Sequence, residues 1–120
     1  MSYAKLIIIF LFAAFFAGAC ASPKAQIYKL SDSKDYEASI FRQNCAICHG
    51  PEGEGKTLDD GTIVPSLRAG EFKFKSEPEI RSQIENGGNG MSPFRDQLTS
   101  HELDMMAKFV HDKLRQPVIK

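Results

Sequence analysis

The chain has 120 residues, and its 15 Lys and Arg are balanced by 15 Asp and Glu, so its formal net charge is zero. A neutral chain without a basic cluster has no electrostatic basis for binding nucleic acid. Its length fits one small domain.

Residues 1–19 have the layout of an export signal. Lys5 is their only charged residue, residues 6–16 are an unbroken apolar run, and small residues follow. The run is shorter than the roughly 20 residues needed to span a bilayer. We therefore expect residues 1–19 to be removed as a signal peptide and to take no part in the fold.

Cys20 follows directly and is the odd cysteine of three. The string Ala17-Gly18-Ala19-Cys20 resembles a bacterial lipoprotein box, although that pattern prefers Leu in place of Ala17. This predicts a lipid on Cys20 that anchors the protein to a bacterial membrane on its periplasmic side, with residues 20–32 as the tether. The alternative is ordinary signal cleavage, which would leave a soluble periplasmic protein.

A first helix is predicted from a cap among residues 31–33 to about Cys48, because apolar residues recur there at helical spacing. The face expected to point inward contains Tyr36, Ile40, Phe41, Asn44 and Cys48. The cysteine motif of the chain therefore lies at the end of this helix.

Cys45, Cys48 and His49 form that motif. Two thiols three residues apart lie on one helix face, roughly 5–6 Å apart, so both can reach the two vinyl groups of one haem. The adjacent imidazole can then bind the iron. The spacing predicts one covalently attached haem c.

Two other chemistries use the same residue types. A thioredoxin-like dithiol needs its cysteines at the start of a helix, where the helix dipole lowers a thiol pKa, whereas Cys45 and Cys48 are expected to end one. Structural zinc usually takes two separated ligand pairs. The sequence has no second cysteine pair, and its other histidines are His101 and His111.

Residues 50–57 match the phosphate-loop pattern of Gly, four residues and Gly-Lys-Thr. That mechanism requires a strand before the loop and a helix after it. Here a helix precedes the loop, a turn is expected at residues 58–61, and Glu52 and Glu54 would repel phosphate. We expect no nucleotide binding, and we interpret the glycines as turns beside the haem.

Two further helices are predicted. One follows the capping box of Ser76 and Glu79 and ends at Gly87, and the other follows the box of Thr99 and Glu102. The apolar stripe of the last helix contains Leu103, Met106, Ala107, Val110 and Leu114. No segment alternates convincingly as a strand, so the domain is predicted to be all-α.

Met91 lies between these helices in a glycine-rich loop closed by a proline, where a thioether can project from irregular backbone. We expect it to be the second axial ligand of the iron. Met105 and Met106 are expected to pack along the last helix. His101 and His111 are expected to face solvent.

These motifs together resemble class I cytochromes c, a monohaem family with an N-terminal haem-attachment helix and a methionine loop before the last helix. The likeness extends from about residue 33 to residue 114. It implies the cytochrome c fold, with three main helices and long loops around one haem. It also implies thioether bonds at Cys45 and Cys48 and axial ligation by His49 and Met91.

The same resemblance implies a role for Pro65, which precedes a leucine in the middle loop as in the family. Its carbonyl would accept a hydrogen bond from the His49 ring. Phe41 and Phe109 stand where the family's first and last helices cross. One departure is Ser92, because the family usually has proline directly after the methionine.

The resemblance implies a one-electron carrier with no catalytic residue, cycling between Fe(III) and Fe(II). Its partners would be redox proteins of a respiratory or other periplasmic electron-transfer chain. The alternative is a haem enzyme or gas-binding sensor with a labile Met91 ligand, which the inserted Ser92 would favour. The expected division is residues 33–116 for the cytochrome domain and residues 117–120 for a C-terminal tail.

Overall fold

The structure is a computed structural model that describes residue 3 and residues 27–115. Its elements are α1 (Tyr36–Asn44), α2 (Ala46–His49), β1 (Lys56–Thr57), β2 (Ile63–Val64), α3 (Glu77–Asn86), α4 (Ser100–Lys108) and a π-helical segment (Phe109–Leu114). The described part is mainly helical, as predicted. Cys20, the tail at residues 117–120 and all of the expected signal except Tyr3 lie outside the described residues.

The first helix differs from the prediction at its start. It begins after Asp35, and the expected caps among residues 31–33 were wrong. Those residues belong to a separate turn, closed by a hydrogen bond from the Ser33 N–H to the Leu30 carbonyl at 3.3 Å. The Ser33 hydroxyl accepts from the Asp35 N–H at 3.1 Å, so it orders the approach to the helix instead of capping it.

Residues 27–35 form an N-terminal arm that packs against the domain. Leu30 has no exposed surface. The ring of Tyr28 meets that of Phe109 edge-on, with 5.6 Å between their centroids. The folded unit therefore reaches N-terminally beyond residue 33, where the cytochrome domain was expected to start.

A short β-hairpin, which the sequence pattern did not predict, follows the cysteine motif of this mainly helical domain. β1 pairs antiparallel with β2, with Lys56 opposite Val64 and Thr57 opposite Ile63. Two-residue strands are too short to show an alternating pattern. Lys56 and Thr57 are thus extended, where a phosphate-binding loop would begin a helix.

The core lies between α1, α3, α4 and the π-helical segment. The rings of Phe41 and Phe109 pack with centroids 6.3 Å apart and planes tilted by 58°. This contact confirms the expected crossing of the first and last helices. The buried apolar residues are Leu30, Ala38, Ile40, Phe41, Ile80, Ile84, Leu98, Leu103, Met106, Ala107, Phe109, Val110 and Leu114.

Both predicted capping boxes are present. The N–H of Ser76 donates to the carboxylate of Glu79 at 2.9 Å. The N–H of Thr99 donates to the carboxylate of Glu102 at 2.8 Å. Each box satisfies backbone donors that have no partner within the first helical turn, so it fixes where the helix begins.

The last helix ends in a π-helical segment that the sequence pattern did not predict. The N–H of Arg115 bonds to the carbonyl of Val110, five residues back, at 3.2 Å. This wider winding places Phe109, Val110 and Leu114 all in the core.

α3 ends at Gly87, which has a φ of +67°. A Cβ at this position would lie 2.5 Å from the carbonyl oxygen of Met91 and 2.7 Å from the nitrogen of Pro93. Glycine is required here both for the positive φ and for the close approach of the two backbone segments.

Among the described residues, no helix combines the length and the apolar character needed to cross a membrane.

Gly87→Ala should destabilise the domain more than Gly88→Ala does. Both positions have positive φ, but a Cβ at Gly88 meets nothing within 4 Å. We expect the strain of a left-handed residue to lower the free energy of unfolding of each variant by about 1–2 kcal/mol. Gly87→Ala should lose at least about 1 kcal/mol more, because the added Cβ displaces the Met91 loop. Urea unfolding of both variants measures the difference. Equal losses would contradict the close approach.

The variant Tyr36→Phe removes a hydrogen bond between α1 and α4, and its stability should show what that bond contributes. The Tyr36 hydroxyl donates to the Glu102 carboxylate at 2.6 Å. This bond, with those from Thr99, lowers the pKa of Glu102 from 4.5 to about 2. A lowered pKa adds stability that is fully present above the unfolded value and is lost as the pH falls toward the folded value.

The stability difference between the wild type and Tyr36→Phe should therefore be constant from pH 4.5 up to the range in which Tyr36 ionises, near pH 10, and should shrink as the pH falls toward 2. Free energies of unfolding at a series of pH values measure it. A difference independent of pH over that range would show that Tyr36 does not act through the Glu102 carboxylate.

Candidate functional site

The cysteine motif lies at a break between two helices. α1 ends at Cys45, which has φ −109° and ψ −35°, and α2 resumes at the next residue. Backbone hydrogen bonds continue across the break, from Cys45 N–H to the Phe41 carbonyl at 2.8 Å and from His49 N–H to the Cys45 carbonyl at 2.9 Å. The motif is therefore held as one helical turn that begins on the core and ends at the surface.

Cys45 and Cys48 are both free thiols in different surroundings. Cys45 is half-buried and packs against the core, whereas Cys48 is exposed. Burial raises the pKa of the Cys45 thiol to about 12, and the neighbouring Cys48 adds to the shift. A reactive dithiol needs a lowered thiol pKa. The surroundings of Cys45 thus disfavour the thioredoxin-like alternative.

His49 is half-buried at the end of α2. Burial lowers the pKa of its imidazole below the usual value, so the ring is neutral near pH 7, the form that binds metals. Its Nδ1 atom is buried and has no hydrogen-bond partner within the described part of the chain. Buried polar atoms are rarely left unpaired, so this ring fits a site completed by a further group.

The expected acceptor for this ring, Pro65, lies on a segment that touches the His49 loop. The N–H of Gly55 donates to the His49 carbonyl at 2.7 Å. A Cβ on Gly55 would lie 2.8 Å from the carbonyl carbon of Pro65. The structure brings the two backbone segments together without a bond between the His49 ring and Pro65, which stays a prediction.

A second hydrogen bond joins these segments, from the Leu67 N–H to the Gly53 carbonyl at 2.9 Å. Gly53, with φ +77°, faces the side chains of Phe41 and Leu114, and a Cβ there would lie 3.4 and 3.5 Å from them. The loop after His49 is thus fixed both to the Pro65 segment and to the aromatic core.

Met91 is presented by a tight turn. The N–H and carbonyl groups of Gly88 and Met91 pair with each other at 2.8 and 3.0 Å. Between them, Asn89 and Gly90 have φ values of +53° and +85°, the signature of a type I′ turn. The Asn-Gly pair is a strong sequence signal for this turn, which was not predicted.

Gln83, on α3, is a site residue that the sequence did not indicate. Its side-chain amide donates to the Gly88 carbonyl at 2.9 Å and lies 3.8 Å from the Met91 sulfur. It therefore braces the methionine turn. It also lines a shallow groove of about 260 Å³ together with Phe74, Glu79, Ser82, Asn86 and Gly87. A polar residue within a helix carries no pattern that would have identified this role.

The other methionines and histidines lie where the sequence placed them. Met106 is buried in the core, and Met105 packs against it. His101 is exposed. His111 lies partly exposed at the surface, with its Nδ1 atom 2.6 Å from a carboxylate oxygen of Asp112.

Cys45, Leu67 and Met91 all pack against the same core cluster. One cysteine of the motif, a leucine of the Pro65 segment and the methionine expected to bind iron therefore contact the same apolar core. Thiols, a neutral imidazole and a thioether beside an apolar core are the donor set and surroundings of a c-type haem. Cys20, the expected lipidation site, is outside the described residues.

Comparison with known proteins supports this chemistry. A family model described as cytochrome C oxidase, cbb3-type, subunit III matches residues 35–110. Cytochrome c-550 of Bacillus subtilis (strain 168) is 38% identical over 85 residues, which is 68% of this chain and 63% of the relative. Cytochrome c6 of Gracilaria tenuistipitata var. liui is 30% identical over 87 residues, 71% of this chain and 79% of the relative.

The cbb3-type cytochrome c oxidase subunit FixP of Sinorhizobium medicae (strain WSM419) is 30% identical over 108 residues, which is 81% of this chain but 34% of that protein. The chain thus spans most of a cytochrome c6, somewhat less than two thirds of cytochrome c-550 and about a third of FixP. No solved structure matches the chain. The chain belongs to the c-type cytochrome family, with the all-α cytochrome c fold built around covalently bound haem c.

Proposed function

We propose that Cys45 and Cys48 hold the haem through thioether bonds and that His49 and Met91 are the axial ligands of its iron. The observation that carries this proposal is a pair of thiols on the turn that ends at a neutral His49 ring, with neither the thiols nor the buried Nδ1 of that ring bonded to a partner within residues 27–115. The rigid turn that presents a half-buried Met91 thioether supports the second ligand.

We propose that Pro65 orients the proximal ring. Its carbonyl would accept the Nδ1–H of His49, which satisfies the buried donor and makes the imidazole a more basic ligand. The close approach of Gly55 to the Pro65 backbone keeps that segment beside the loop that follows His49.

The function that this site supports best is electron transfer. Haem c supplies one-electron exchange between Fe(III) and Fe(II) when it is bound. If His49 and Met91 both bind the iron, they would leave no coordination position open to a substrate, so we propose a carrier and not an enzyme. The thioether favours the reduced state and raises the potential. Gln83 and the type I′ turn keep that thioether in place.

We propose an extracytoplasmic location, on the periplasmic side of a bacterial membrane, because the sequence combines a haem-attachment motif with a predicted export signal at residues 1–19. A lipid on Cys20 would hold the domain near membrane-bound redox proteins. The kinship to cytochromes c6 and c-550 and to the oxidase subunit FixP supports partners in an electron-transfer chain. The near-zero net charge favours small transient contacts over strong electrostatic docking.

Met91→Ala should leave the haem covalently attached but lower the reduction potential and let carbon monoxide bind the reduced iron. The reason is that the soft sulfur ligand is lost while both thioether bonds remain. Met105→Ala, which removes a methionine packed along α4, is the matched control and should keep the wild-type potential. Redox titration and carbon monoxide difference spectra measure both effects.

An unchanged potential in Met91→Ala, with no binding of carbon monoxide, would show that another residue is the distal ligand. Ready binding of carbon monoxide by the wild-type protein would instead favour the sensor interpretation.

Cys20→Ser should release the protein from the membrane fraction, because the thiol that carries the lipid is gone. Ser22→Ala, two residues away, is the control and should remain bound. Fractionation with fatty-acid labelling distinguishes the outcomes. A Cys20→Ser protein that still takes up the fatty-acid label would contradict lipidation at this cysteine. One that stays in the membrane fraction without the label would make an uncleaved signal helix the better account of the anchor.

A further inference from the structure

Glu52 lies in the loop that follows His49 and is bound on three sides. One carboxylate oxygen accepts from the Leu30 N–H at 2.8 Å, and the other accepts from the Ser31 N–H at 2.8 Å. The guanidinium of Arg68 donates to the first of these oxygens at 2.9 Å. This carboxylate therefore joins the N-terminal arm to the loop after the cysteine motif.

Arg68 holds the backbone of the same loop as well. Its Nε–H donates to the Glu52 carbonyl, while its Nη2 group binds the carboxylate. The side chains of Arg68 and Glu52 are 12% and 32% exposed, so this pair is partly shielded from solvent. A planar guanidinium that binds two oxygens fixes direction as well as distance.

Arg68 belongs to the segment that carries Pro65, and Glu52 belongs to the loop that begins at His49. The backbone bond from Gly55 to His49 lies within this loop, and the bond from Leu67 to Gly53 joins the loop to the Pro65 segment. The Glu52–Arg68 pair is a further link between the same two pieces of chain, and it is made by side chains.

The arm is also held from its other side. Arg42, on α1, donates to the Leu30 carbonyl at 2.7 Å and to the Ser33 carbonyl at 3.0 Å. The amides of the arm therefore face Glu52 and its carbonyls face Arg42. The arm is the part of the domain that follows Cys20 and the N-terminal segment in the sequence. That segment therefore joins the domain beside the loop that follows His49.

We propose that Glu52 is a positioning residue for the haem iron's proximal side. Together with Arg68 and the N–H groups of the arm, Glu52 sets the distance between the His49 ring and the Pro65 carbonyl. That distance determines how basic the His49 imidazole is as an iron ligand. This inference rests on the proposed ligand role of His49. Loosening the Glu52–Arg68 link would weaken the proposed hydrogen bond from His49 to Pro65, make the imidazole less basic, stabilise the ferric state less and so raise the potential.

Glu52→Gln keeps the shape of the side chain but removes its charge and one acceptor. In the full-length protein with haem attached, we expect amide hydrogen exchange at Leu30 and Ser31 to accelerate about tenfold, as charge-assisted bonds become neutral or are lost. The reduction potential should rise. Glu71→Gln removes the same charge from an exposed loop position and should change neither quantity.

Arg68→Lys is the second variant and carries the test if Glu52→Gln does not fold. Lysine keeps the charge but cannot bind the Glu52 carbonyl and carboxylate together. The potential should rise in this variant too, with a smaller acceleration of exchange at Leu30 and Ser31, because the carboxylate remains.

Faster exchange with a potential equal to that of Glu71→Gln would overturn the proposal, since Glu52 would then only fasten the arm. Unchanged exchange would show that the carboxylate does not hold the arm at all. If the wild-type protein carries no covalent haem, the proposed function fails instead. The exchange measurement then still decides whether Glu52 holds the N-terminal arm.

Discussion

The contact between Phe41 and Phe109 is the interaction on which the rest of the structure depends. It crosses α1 with the end of the last helix, and both rings are almost fully buried. Tyr28 adds the arm to the same aromatic group, and Gly53 brings the loop after His49 against Phe41. The motif helix, the arm and the proximal loop are therefore all positioned from one packing centre.

Irregular backbone provides the remaining positioning. Gly55 allows the loop after His49 to touch the Pro65 backbone, and Gly87 lets the end of α3 meet the Met91 turn. These are places where a side chain would collide with main chain, so the requirement is steric as well as conformational. Short helices joined by such loops bury little apolar surface for a domain of this length. Bound haem supplies further apolar surface, which makes it structural as well as functional.

The sequence predicted the helical fold because that fold depends on periodic apolar residues and on capping boxes with a fixed spacing, whereas the aromatic crossing was implied by the resemblance to class I cytochromes c. It missed the hairpin at Lys56–Thr57, whose strands are too short for a pattern, and the π-helical turn, which arises from packing. It placed the helix start too early because Ser33 had a competing local partner. Gln83 and Glu52 could not be found from a pattern, because Gln83 acts on the turn that follows its own helix and Glu52 acts on Leu30 and Arg68, which are 22 and 16 residues away in the sequence.

The most direct test of the account is the mass of the peptide that contains residues 45–49, cut from protein produced in a host that attaches haem. Each thiol adds across a vinyl group without losing an atom, so the account predicts the sum of the peptide and one haem, with neither cysteine open to alkylation. A peptide without haem, with Cys45 and Cys48 both alkylated, would contradict it.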